Sequence, residues 1–294
     1  MRQWFVALAA LFFWAAGCDT AQQPADPPSP ALWQIESANG EVEGWLFGTI
    51  HALPDDTQWR TETFETTLAD AEILVVEVAD FSDTAVFRQL ATTPGLPPLS
   101  ERVSADRRTD LHQMISSAGI SETRFANVED WAAALTLGQI GRDADPENGV
   151  DQALIKDARN PFKERRPIPV TELEGLYAQL KIFDDLAPQD QRALLHSTID
   201  EYATEENEAA ELRQLWLSGD VSALEEAITE SMAGSPGLND ALLTDRNIAM
   251  AAKVEQMLKD ERKYFVAIGA AHLIGETGLP SLLGKQGYRI RRLQ

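Results

Sequence analysis

Tyr264-Phe-Val-Ala-Ile-Gly-Ala-Ala-His272 is an unbroken apolar run that closes on an imidazole. Far upstream, Trp45-Leu-Phe-Gly-Thr-Ile-His51 has the same form, and both finish in Gly-x-x-His, Gly48 to His51 and Gly269 to His272. Short apolar runs of this kind read as buried strands, the pattern of a sheet covered on both faces. In open α/β sheets, ligands collect beyond the carboxyl ends of such strands. Glycine three residues before each histidine permits close backbone approach there, either by a neighbouring strand or by a ligand. Two such strands from opposite ends of the chain predict a sheet built from both terminal segments, with an imidazole at each strand end.

The sequence around these runs extends the same sheet. Leu32-Trp-Gln-Ile-Glu36 and Val42-Glu-Gly-Trp-Leu-Phe47 flank Asn39-Gly40, the strongest short-range hairpin signal, so the first two strands are expected to pair antiparallel. Ile73-Leu-Val-Val-Glu-Val-Ala79 reads as another strand covered on both faces. Between them, Trp59, Phe64, Leu68 and Ala71 approximate one face of a helix from Asp56 to Ala71, with Asp55 or Asp56 as N-cap. From about 84 to 260 helical spacing dominates, over Val103 to Ala118, Trp131 to Gln139, Asp151 to Ala158, Glu174 to Phe183, Asp190 to Tyr202, Val221 to Met232 and Leu242 to Leu258. A short strand is expected within Pro167 to Leu173 and a final one over Gly287 to Leu293. The expected class is α/β, bordering on α+β: a central mixed β-sheet from the N- and C-terminal segments with a large, mostly helical middle.

The N-terminus has the form of an export signal. Residues 1–17 hold one positive charge, Arg2, and an apolar stretch from Trp4 to Ala16 that is too short to span a bilayer comfortably. It ends Ala15-Ala16-Gly17-Cys18, which resembles the lipobox of bacterial lipoproteins, where the cysteine is lipidated and becomes the mature N-terminus. Cys18 is the sole cysteine. Residues 18–30 are polar and proline-rich, a semi-rigid tether rather than core, and 31–294 form the expected domain. These segments predict an exported protein, anchored through lipid to the inner or outer membrane and facing the periplasm.

Charge narrows the partners. With 47 acidic and 25 basic residues and a net charge of −22, the chain repels nucleic-acid phosphate and anionic headgroups, so no nucleic-acid partner is expected. Acidic runs such as Asp200 to Glu208 read as solvated helix faces.

Glu77 is the third residue of interest. Apolar neighbours on both alternating sets leave no solvated face for its carboxylate, so a cation or hydrogen-bond donor should meet it. Two strand-end histidines and one strand-embedded glutamate make a set that binds Zn, Mn, Fe or Co while leaving positions open for water, which the metal activates. Without metal, the same residues support general base catalysis, with Glu77 orienting one imidazole and His51 or His272 taking the proton. His112 and His196 lie in helical stretches and read as structural.

Several further pieces resemble the TraB/GumN family, which includes the Tiki metalloproteases and belongs to a wider group with erythromycin esterases and ChaN-like haem-binding lipoproteins. They are Leu46-Phe-Gly-Thr-Ile-His-Ala-Leu-Pro54, Val76-Glu77, Gly149-Val-Asp151, Leu173-Glu174 with Gln179, Trp216 with Gly219-Asp220, Leu243-Thr-Asp-Arg246-Asn247, and Ala267-Ile-Gly-Ala-Ala-His-Leu273 with Gly287-Tyr288. The resemblance runs from about 32 to 293 and implies His51, Glu77 and His272 as the metal or catalytic core, with Arg246 and Asn247 beside them. It implies an envelope hydrolase, most simply peptidase-like and dependent on Mn, Co or Zn, acting on a peptide or small-molecule substrate. A metal-free esterase and a non-catalytic haem or ligand binder are the alternatives it leaves open. Arg246 suits an oxyanion, a substrate carboxylate or an ion pair with Glu77. Asn247 either orients a ligand or bonds within its helix, and Glu174 reads as a negative charge favouring a helix N-terminus.

Overall fold

A computed structural model describes residues 27–140, 144–160, 166–204, 208–232 and 236–294. The expected signal peptide, Cys18 and most of the tether lie outside the described residues.

The chain is an α/β protein with one six-stranded mixed sheet. Its strands are β1 (Leu32–Glu36), β2 (Val42–Thr49), β3 (Ile73–Val76), β4 (Val170–Glu172), β5 (Tyr264–Gly269) and β6 (Arg289–Arg292), in the order β4-β3-β5-β2-β1-β6. β4, β3, β5 and β2 run parallel, while β1 pairs antiparallel with β2 and with β6. Five of the six strands come from the terminal segments, and the helical middle contributes only β4.

Alternation along the central strands divides the core in two, because successive side chains point to opposite faces. Leu74, Val76, Phe265 and Ala267 enter one apolar layer with Phe64, Leu68, Leu154 and Ile155. The Glu62–Asp70 and Val150–Arg159 helices supply those partners. Ile73, Val75, Tyr264, Val266 and Ile268 enter the other, against Met250, Val254, Leu279 and Leu283 from the Asp245–Met257 and Leu279–Lys285 helices. The other helices between 84 and 203 pack mainly on one another, around Leu111, Phe125 and Leu195 in one cluster and Trp131 in another.

Two local expectations change. The helix expected from Asp56 begins at Glu62, because the Thr61 hydroxyl accepts the Phe64 N–H at 3.0 Å and caps it, whereas Asp56 is held at φ 59°, a left-handed conformation that no helix accommodates. β3 stops at Val76, so Glu77 lies just beyond the strand instead of inside it.

The first apolar layer is anchored by aromatic rings. Phe64 is fully buried, with its ring centroid 4.7 Å from Phe47, 5.1 Å from Trp59 and 5.6 Å from Phe265. Truncating it removes contacts to three rings and leaves a cavity. Phe64→Ala is expected to lower unfolding free energy by about 3–5 kcal/mol in urea titration, and a loss below about 1 kcal/mol would contradict this packing.

Candidate functional site

Parallel pairing brings three strand ends together. Thr49 is in register with Gly269, and Val76 with Ala267, so the residues that follow β2, β5 and β3 emerge side by side at one edge of the sheet. They are His51, the Ala270–Leu273 turn holding His272, and Glu77. The three side chains surround the place where a Cβ on Gly269 would stand, with Glu77 Oε1 3.2 Å, His272 Cδ2 3.5 Å and His51 Nε2 3.6 Å from that point. A Cβ here would crowd Glu77, so glycine lets the three side chains close onto the β5 backbone. Gly48 serves differently: a Cβ there would come 3.1 Å from that of Ala270, so its absence lets β2 lie close against the β5 turn.

Glu77 is 4% exposed and ionised. Its Oε1 accepts the Gly269 N–H at 2.7 Å, and its Oε2 accepts Gln179 Nε2 at 2.9 Å and an Arg246 Nη2–H at 2.5 Å. Burial alone would raise its pKa. The charges of His272, His51 and Arg246, with the Gly269 N–H, overcome that and lower it from 4.5 to about 2. Arg246 also forks onto Glu174, Nε to Oε1 at 2.9 Å and Nη2 to Oε2 at 2.7 Å, and donates to the Leu242 carbonyl at 3.1 Å. The guanidinium is therefore held between two carboxylates, the ion-pair role among those open to it. Glu174 precedes its helix, which starts at Leu176 behind Gly175, so its carboxylate serves Arg246 rather than the helix dipole.

The histidines occupy contrasting environments. His272 is buried, and its Nδ1–H donates to Asn247 Oδ1 at 2.6 Å, which leaves Nε2 as a lone pair 3.9 Å from Glu77 Oε2. Burial lowers its pKa from 6.5 to about 4; the charges of Arg246 and His51 act with burial and that of Glu77 opposes it, so the ring is neutral at pH 7. Asn247, left open between two roles by sequence, orients this ring. His51 is 66% exposed by side chain, and its Nδ1 meets Asp151 Oδ2 at 2.8 Å. Asp151 Oδ1 in turn accepts the Thr49 hydroxyl at 2.8 Å. Desolvation pulls the His51 pKa down, but the bond and charge of Asp151 and the charge of Glu77 prevail and raise it from 6.5 to about 9. Water screens so exposed a pair, so the raise reports Asp151's presence and not a large stability gain.

Asp151 reaches His51 because two backbones touch. The Val150 N–H donates to the Ile50 carbonyl at 2.9 Å, and a Cβ on Gly149 would fall 2.2 Å from the His51 carbonyl oxygen, so only glycine allows this helix start to lie against the loop after β2. Sequence placed Gly149-Val-Asp151 and Gln179 in the recurring pattern without a role for either. An aspartate in the first turn of a helix reads as a dipole partner, which hides a side chain facing a histidine 100 positions away. His112 and His196 stand apart, near Glu122 and bonded to the Ser104 N–H respectively.

Among the described residues neither imidazole Nε2 has a hydrogen-bond partner, and each Nδ1 is fixed by an oxygen, the arrangement that orients metal-binding histidines. Among the described residues, no three His, Cys, Asp or Glu side chains close into a cage for an ion. Two imidazoles and an ionised carboxylate thus lie together at the Gly269 backbone, with the Glu77 oxygens already bonded to Gly269, Gln179 and Arg246.

A family model described as TraB/PrgY/gumN family matches residues 31–292. An uncharacterized protein named YbaP from Shigella flexneri is 30% identical over 250 residues, covering 83% of this chain and 89% of that protein. YbaP of Escherichia coli (strain K12) is 30% identical over 244 residues, covering 81% and 86%. No solved structure matches.

Opposite histidine shifts give opposite pH effects. Glu77 and His272 are both lowered in the fold, so the Glu77 contribution is full above 4.5 and lost as pH falls through about 2, while protonation of His272 in the unfolded chain weakens the fold as pH drops from 6.5 to about 4. His51 is raised, so its contribution is full below 6.5 and lost as pH rises through about 9. In NMR titration, His51 should titrate near 9 and fall to about 6.5 or below in Asp151→Asn. A His51 midpoint unmoved by that change would remove Asp151 from the account.

Proposed function

The chain belongs to the TraB/PrgY/gumN family, and from that premise we propose that it is an envelope hydrolase, peptidase-like, that activates water at the His51–Glu77–His272 centre with a divalent cation. The observation that carries the reading is the convergence of the Glu77, His51 and His272 side chains on the Gly269 backbone. Export and lipidation at Cys18 belong to the same proposal and rest on residues 1–18.

His51 Nε2 and His272 Nε2 would hold the cation, Mn, Co or Zn, with Glu77 beside them as the balancing charge. Such an ion, when bound, supplies Lewis acidity and makes water a nucleophile near neutral pH. The remaining roles fall to the chain itself. Asp151 and Asn247 keep the two Nε2 atoms turned inward. Arg246 and Gln179 hold Glu77 in place, and with both carboxylates taken the guanidinium acts as a positioning group.

One observation favours a second reading, the metal-free hydrolase. The Asp151 carboxylate at Nδ1 makes His51 more basic and orients it as a proton acceptor.

Metal analysis and calorimetry of the full chain test both. Stoichiometric Mn, Co or Zn is expected in wild type and a loss of about tenfold or more in affinity in His51→Ala and His272→Ala. Because the cation must displace the His51 proton, affinity should rise about tenfold per pH unit below 9. Peptide hydrolysis that persists in excess chelator yet disappears in His51→Ala supports the second reading. A Soret band on haem titration, absent in His51→Ala, with no hydrolysis of any peptide or ester, overturns both.

A further inference from the structure

A cleft of about 660 Å³ opens beside the reacting centre. One wall is the loop after β2, with Leu53, Pro54 and Trp59; the other is the segment around Pro146 and Ala153. The walls are direct continuations of the site. Leu53 stands two residues after His51, and the second wall belongs to the helix that also carries Asp151, whose own side chain turns to His51 and not into the cleft. Reciprocal backbone bonds clamp them, Leu53 N–H to the Asp145 carbonyl at 3.2 Å and Asp145 N–H to the Leu53 carbonyl at 2.9 Å. Asp56, which also lines the cleft, is the one non-glycine residue with positive φ among the described residues. A strained turn beside a ready-made cavity of ligand size marks a binding feature.

We propose that this cleft is a substrate subsite that takes an uncharged apolar side chain of an extended polypeptide, next to the bond at His51. The assignment of a substrate rests on the hydrolase reading; the binding itself does not. Three features set the chemistry. The walls named above are apolar and include an indole, so burial of an apolar side chain is favourable. The rim carries charges of both signs, Asp56 and Glu147 against Lys156, so a charged side chain gains little net attraction there and loses hydration. Gln152 lines the cleft and has no hydrogen-bond partner among the described residues, which leaves a side-chain amide free to pair with a main-chain amide of the occupant.

Fluorescence anisotropy with labelled alanine pentapeptides that carry leucine, phenylalanine, lysine or aspartate at the centre tests the proposal on the full chain. The leucine and phenylalanine peptides should bind about tenfold tighter than the charged pair. Ala153→Trp, which fills the cleft, should weaken them about tenfold, and the milder Gln152→Ala about threefold. A wild-type chain that binds these peptides but hydrolyses none of them keeps the subsite and loses the hydrolase reading. Equal binding of all four peptides, tighter binding of a charged one, no binding at millimolar peptide, or full affinity in both cleft variants with circular dichroism unchanged overturns it.

Discussion

A carboxylate with 4% of its surface in water destabilises a fold by several kcal/mol unless its charge is met, and Glu77 is such a group. The surrounding structure meets it from three directions. Gly269 supplies a backbone N–H from β5, Gln179 an amide from the Leu176–Asp184 helix, and Arg246 a guanidinium from the Asp245–Met257 helix. Arg246 brings its own excess charge, which Glu174 balances. One buried anion thus ties the sheet to two helices far apart in sequence.

The two imidazoles are not equivalent, and the difference has a simple electrostatic origin. His272 is enclosed and meets a neutral amide, so burial prevails and its ring stays uncharged at pH 7. His51 sits at the mouth against a carboxylate, so Asp151 prevails and the ring is more basic. In both, Nδ1 is held by an oxygen that fixes the orientation of the ring. Under the proposed hydrolase reading, a cation or a proton would occupy that centre, and which of the two does so separates the metal-dependent route from the metal-free one.

Much of this architecture is visible in one dimension. Strands β1, β2, β5 and β6 follow from alternation, continuous apolar runs and the Asn39-Gly40 turn, because strand pairing at a two-residue turn is a local property. The Val221–Met232 helix begins and ends where its spacing predicts. Less was legible where local signals compete. The turn through Asp56 displaced a helix start by several residues, and the segment between Ala270 and Gly287, by sequence a connection rich in glycine and leucine, holds the Leu279–Lys285 helix, whose Leu279 and Leu283 are buried against the sheet.

By itself the sequence determined which residues stand out from their surroundings. Gly-x-x-His at two apolar run ends and a glutamate among valines are chemical anomalies that do not depend on a partner, and all five residues expected at the site are gathered there: His51, Glu77, Arg246, Asn247 and His272. Only the tertiary structure decided what each one does. Asp151, Gln179 and Glu174 acquire their roles across separations of 100, 102 and 72 residues, and the fates left open for Arg246 and Asn247 were resolved the same way. Hydrogen bonds and ion pairs act over a few ångströms of space, whereas the periodicities that reveal helices and strands act over a few residues of chain. The parallel register of β2, β5 and β3 converts one kind of nearness into the other.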